Sequence, residues 1–174
     1  MPGGSAWKQG SLPGMTSGGF AAAFAASDLN ALPQLASVFS TILFDNTVAT
    51  IVTPDQFMDI SFVGALTAAE TIAPGAGLSF FLWILQEDNV TYGDGRMVAG
   101  TQYASTSYTP LQSSIGGIQI SPGTAITNIA GSSLMIPIPP RKFGLVAQNN
   151  SGFAFAGGGV CSISISTYRQ NTNA

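Results

Sequence analysis

Seven stretches of this chain concentrate β-branched and aromatic residues, and each is closed off by turn-forming or polar residues. They read SVFSTILFDN (37–46), QFMDISFVGAL (56–66), LSFFLWILQ (78–86), GIQIS (117–121), SLMIPI (133–138), KFGLVAQN (142–149) and VCSISISTYR (160–169). No helical period between them is long enough to supply the crossover helices of a parallel sheet, so the pattern predicts an all-β chain. The polar stretch 99–114, rich in Thr, Ser, Gln and Tyr, reads either as a further strand or as a loop. Seven or eight short strands at this spacing fit a seven-stranded immunoglobulin-like sandwich or an eight-stranded jelly roll. Cys161 is the single cysteine, so the inter-sheet disulfide that most strongly marks the first is missing. The count then favours a jelly-roll β-sandwich of about eight antiparallel strands. No internal repeat of fixed period is evident, which argues against solenoids and propellers.

Alternation assigns the faces. In 160–169 the odd positions Cys161, Ile163 and Ile165 share one side, so the cysteine reads as core rather than as a nucleophile. In 56–66, Met58, Ile60 and Phe62 oppose Phe57, Asp59 and Ser61. The stretch 78–86 is apolar on both faces and is placed at the centre of the core. Its apolar run LSFFLWIL is far shorter than the roughly 20 residues of a membrane span.

The segment 1–36 reads differently. Glycine, proline and serine dominate the first twenty residues around the isolated Trp7 and Phe20, a composition that does not build a core alone. The following run FAAAFAASDLNALPQLA has helix-forming alanines, but Asp28, Asn30 and Pro33 limit it to a short helix or turn. Residues 1–36 are therefore expected to form an extended N-terminal arm with a possible short helix, and 37–174 the sandwich domain. The amino terminus lacks the basic and apolar regions of a secretory signal, so synthesis in a cytoplasm is expected. Two sequons, at Asn89 and Asn149, read as turn residues.

Charge narrows the function classes. Lys and Arg number five, Asp and Glu eight, and there is no histidine; only 7% of residues are charged while 45% are hydrophobic. An ordinary soluble domain carries roughly 25% charge. Such a surface is kept soluble either by Ser, Thr, Asn, Gln and Gly or by being covered by other chains, and the apolar content favours the second. A net charge of -3 argues against nucleic acid as a partner.

Chemistry finds few residues to work with. Without histidine there is no relay for a nucleophilic triad, and no Gly-x-Ser-x-Gly occurs. Glycoside hydrolysis would need a converging pair of carboxylates such as Asp59 and Glu87, but most of the eight carboxylates sit beside turn residues. The run Glu87 to Gly95 gathers oxygen ligands yet lacks the alternating spacing and closing glutamate of a calcium loop. Gly116-Gly117 and Gly157-Gly158-Gly159 lack the following Lys-Ser or Lys-Thr of a phosphate loop and read as turns. The expectation is a non-enzyme without cofactor or metal.

One constellation remains. In IPIPPRKFGLV, Arg141 and Lys142 follow a proline corner that fixes an extended chain, so two of the five cations stand together at a sheet end. They read either as a solvated strand start that discourages edge pairing or as an ionic contact with an acidic neighbour.

The stretch IPPRKFGLVAQNNSGFAF, the alternating strand ending STYRQN and the central LWILQEDNVTYGDG together resemble the jelly-roll head decoration, or cement, proteins of tailed bacteriophages, over roughly 37–170. The resemblance implies a structural virion protein on the capsid exterior that binds the major capsid protein and stabilises the head by bridging its subunits. It further implies a homo-oligomer, dimer or trimer, with Trp7, Phe20 and Phe24 anchoring the arm and Arg141 and Lys142 as polar contacts. Another head-fibre or tail component would share this composition. A carbohydrate-binding jelly roll is the alternative from another class, with Tyr92, Tyr103 and Tyr108 as its candidate aromatics.

Overall fold

A computed structural model describes residues 6–9, 21–47, 54–84, 100–104 and 114–171. The described residues are all-β and contain no helix, so none is long and apolar enough to cross a membrane. Eleven strands are present among the described residues: β1 (Ala6–Gln9), β2 (Ala21–Ala22), β3 (Ser37–Phe39), β4 (Phe44–Asp45), β5 (Phe57–Ile72), β6 (Gly77–Ile84), β7 (Gln102–Tyr103), β8 (Gly116–Gln119), β9 (Gly123–Pro137), β10 (Lys142–Asn150) and β11 (Ser162–Asn171). They form two antiparallel sheets. Sheet I runs β1-β11-β5-β9, with β2 also on β11, and sheet II runs β7-β3-β10-β6-β8, with β4 also on β10. Except between β6 and β8, the chain passes from one sheet to the other at each step from β4 to β11, leaving aside the short edge strand β7.

The inward faces make one core. Met58, Ile60 and Phe62 of β5, Phe80 of β6, Phe143 and Leu145 of β10 and Ile163 and Ile165 of β11 are all fully buried, as the period-two pattern predicts. Cys161 lies in the same core, and burial pushes its thiol up from its ordinary value. The two-faced apolarity of β6 has a local cause. Phe81 points to the outer side, where it meets a second buried layer with Val146 opposite it and Phe39 on β3. Tyr103 packs edge-on against Phe39 at 5.6 Å between ring centroids.

Three expectations are corrected here. The boundary at 36/37 does not separate an arm from a domain, because Ala23, Phe24, Leu29, Leu32 and Ala36 are core residues, and β2 pairs with β11. Of the short helix or turn read for the alanine run, the structure has the turn. Asp28 accepts from the Ala25 N–H at 3.0 Å and from the N–H and hydroxyl of Thr41, both at 3.0 Å, so the chain turns on a buried carboxylate instead of propagating. The same bonds take Thr41 out of the sheet and split the expected strand 37–46 into β3 and β4. Lastly, 133–138 is only the end of the 15-residue β9. Residues 105–113 of the polar stretch lie outside the described residues, while Gln102–Tyr103 is β7.

Candidate interaction surface

The proline corner stands on a buried polar frame. The Asn46 side chain donates to the carbonyls of Asp55 at 2.9 Å and Pro139 at 2.8 Å, and its oxygen accepts from the Asp55 N–H at 3.0 Å. Asp55, itself buried, accepts from the Thr167 hydroxyl at 2.6 Å, and its second oxygen faces the Arg169 guanidinium at 4.0 Å. An asparagine that bonds another residue's N–H and C=O at once acts as a short strand, so the corner is tied to β4 and to the segment before β5. Nothing in the composition marks Asn46 and Asp55 as partners. Each sits in a turn-like dipeptide, and only their position in space pairs them.

On this frame Arg141 is exposed, while the Lys142 ammonium lies 3.4 Å from Asp45. Burial works to raise the Asp45 carboxyl, but the Thr47 hydroxyl and N–H and the Lys142 charge outweigh it and hold the group below its ordinary value. A depressed carboxyl contributes its stability above the unfolded value, and that contribution is lost as pH falls through the lower folded one. Both partners are more than a third exposed. Lys142→Ala is therefore expected to lower stability by no more than about 0.5 kcal/mol in low salt and by nothing measurable in molar salt, read from urea midpoints.

The anchors predicted for the arm separate. Trp7 stands on β1, opposite Gln170 of the same chain, so this piece of the arm extends its own sheet. Phe20 lies outside the described residues. Phe24 is a core residue and is not available to another chain, which corrects its reading as an interface anchor.

A broader surface emerges on the outside of sheet I, where sequence reasoning named no interface candidate. Ser162, Ser164 and Ser166 of β11 stand opposite Val63, Ser61 and Asp59 of β5, and beyond them Ala130 and Ser132 of β9 stand opposite Val63 and Ser61. Asp59 is the one ionisable carboxylate in these rows, and both its oxygens are engaged. One accepts from the Met135 N–H at 2.8 Å and the other from the Tyr168 hydroxyl at 2.7 Å. That hydrogen bond to Asp59 raises the Tyr168 phenol from its ordinary value. The face is thus built mainly of small neutral side chains, with Val63 56% exposed on its middle strand and Ser166 buried. The signal for it was the Ser-x-Ser-x-Ser alternation, read earlier only for its apolar half.

Of the other sequence candidates, some fall on described residues and some do not. Among the described residues no group of three or more His, Cys, Asp or Glu is placed to hold a metal. Glu87 of the proposed carboxylate pair lies outside the described residues, as do Tyr92, Tyr108 and Asn89. Asn149 is fully buried and its amide is committed to backbone carbonyls, which removes it as a glycan acceptor in the folded chain. Gly116 and Gly117 lie on β8, where a Cβ on Gly117 would come within 2.9 Å of the Leu78 carbonyl oxygen. Their bareness serves close strand approach. Gly158 and Gly159 hold positive φ of 80° and 74° in a turn, as expected. Comparison of the chain with protein-family models, with curated proteins and with solved structures finds no match.

Proposed function

We propose that this chain is a structural virion protein that binds the outside of a bacteriophage head as a decoration protein, contacting the major capsid protein and working as a homo-oligomer. The observation that carries the reading is the outer face of sheet I, whose rows are small neutral side chains beside one carboxylate, Asp59, that already accepts two hydrogen bonds. Apart from Asp59, whose two hydrogen bonds offset part of its desolvation, such a face loses water at little electrostatic cost, which suits it to burial against protein. The strand order supports the finer fold. Taking β1 with β2 and β3 with β4, and leaving aside β7, the orders are first-eighth-third-sixth and second-seventh-fourth-fifth, as in two interlocked Greek keys of a jelly roll. Arg141, exposed on a stiff corner, supplies a charge suited to steering toward an acidic capsid patch.

The test is to mix the purified protein with heads prepared without it. Stoichiometric co-sedimentation and a raised head melting temperature are expected, and a glycan array is expected to stay blank. Val63→Lys, which sets a charge on the middle strand of the face without entering the core, is expected to weaken head binding by about tenfold or more. Glycan binding with no affinity for heads would overturn the reading.

A further inference from the structure

We infer that two copies of this chain pair through the free edge of β9, antiparallel about a two-fold axis near Ala130–Gly131, so that sheet I runs continuously through both. This gives a surface to the self-association in the reading above and does not depend on the capsid.

Strand β9 spans 15 residues and pairs with β5 on one side; among the described residues no strand pairs with the other. Alternate residues of a strand aim their N–H and C=O groups to opposite sides, so half of its backbone groups face the open edge. The other margins of the two sheets are short: four residues in β1, two in β2, two in β7 and four in β8.

Soluble proteins protect long edges with charge, proline or bulges. Here Gly123–Pro137 carries no ionisable side chain, and its proline is the final residue. Bulges are present, but they frame the edge instead of covering it. The register with β5 shifts near Ala125 and Met135, whose φ angles are 55° and 56°, and between these shifts Asn128–Ser133 pairs in unbroken succession with Ala65 to Ile60. The inner side of this run is closed by its own chain, since a Cβ on Gly131 would meet Ile118 Cγ2 at 2.1 Å. What stays open is the backbone edge and the small outward side chains of Asn128, Ala130 and Ser132.

An occupant must be extended over this same length, and the run itself meets that condition without bringing a charge to the edge. Two-fold antiparallel pairing centred on Ala130 sets Ala130 opposite its own copy and Asn128 opposite Ser132, where amide and hydroxyl are complementary. Two neutral strands meet without repulsion, and the arrangement closes at two copies.

Light scattering and sedimentation equilibrium on the full chain are expected to show a dimer. Ala130→Lys faces two ammonium groups across the axis and is expected to weaken the dimer by about tenfold or more. Val160→Lys, on an exposed turn, is expected to leave it intact. Circular dichroism checks that each variant is folded, and Ser132→Lys replaces Ala130→Lys if that one is not. A monomeric or trimeric wild-type chain, or a folded edge variant that dimerises as tightly as wild type, overturns the pairing whatever the heads do. A dimer that fails to bind heads overturns only the capsid reading.

Discussion

Asn149→Asp, a change of one NH₂ for one oxygen, is expected to bring the chain close to unfolding at neutral pH. The Asn149 amide donates to the carbonyls of Leu32 at 3.0 Å, Pro33 at 3.2 Å and Phe153 at 2.8 Å, while its oxygen accepts from the N–H and hydroxyl of Ser151. Its own backbone pairs with Leu35 and Ala36. One side chain thus holds the turn 32–36 and the loop 151–153 against β10. A carboxylate in its place offers no proton to the three carbonyls, sets like partial charges against one another and loses solvation at a fully buried site. Each orphaned buried group costs about 1–3 kcal/mol, so a loss of about 4 kcal/mol or more is expected, against a total stability of roughly 5–15 kcal/mol for ordinary domains. The sign with pH is fixed. Burial raises the introduced carboxyl's folded pKa above its unfolded value of about 3.9, so the penalty grows as pH rises from there and shrinks below it. Urea denaturation at neutral pH and near pH 4 measures this; a deficit unchanged between the two would show that the carboxylate is relieved by rearrangement.

Phe62→Ala is the second large effect, expected to cost about 3–5 kcal/mol. Phe62 is fully buried in the middle of β5, and its ring stacks on Phe155 at 5.3 Å between centroids with 28° between planes. The site cannot readily collapse, because β5 is held between β9 and β11 on both sides. A companion substitution makes the argument sharper. At Gly64 a Cβ would lie 2.7 Å from the Phe62 ring and 2.8 Å from the Cys161 sulfur, so Gly64→Ala is expected to destabilise the wild-type chain. Once the ring is removed the first of these clashes disappears. The double variant is then expected to be more stable than the sum of the single effects implies, a coupling that urea midpoints read directly. Additivity would mean that the ring and the glycine do not share the space assigned to them.

The inward rows of β5 and β11 were legible in the sequence because a buried strand face leaves a period-two trace, and Met58, Ile60, Phe62, Ile163 and Ile165 follow it. The first two-thirds of β9 were not. GTAITNIAGSS has the composition of a loop, and it is a strand because the long partner β5 offers it a ladder. Ala21 to Ala36 misled for the opposite reason: alanine favours a helix by intrinsic propensity, but Asp28 captures the backbone and the core takes the apolar side chains. Asn149 and Asn46 looked like turn residues. Their roles lie in bonds to segments distant in sequence, for which composition carries no trace. Of the surface candidates, Arg141 and Lys142 were visible as a charge pair at a corner, whereas the neutral face of sheet I shows itself only when three strands are laid side by side.

The place of β11 has a bearing on how the molecule comes to exist. It follows every other described strand in the chain, yet it lies inside sheet I, with β1 and β2 on one flank and β5 on the other. Until β11 emerges from the ribosome, the opening strands have no partner in that sheet and β5 is paired on one side alone. Sheet II has a milder form of the same delay, since β3, β4 and β6 all wait for β10. Contacts of such long range close slowly. Closure of sheet I therefore waits for a strand far along the chain, and the waiting apolar strands are the interval in which a chaperone has something to hold.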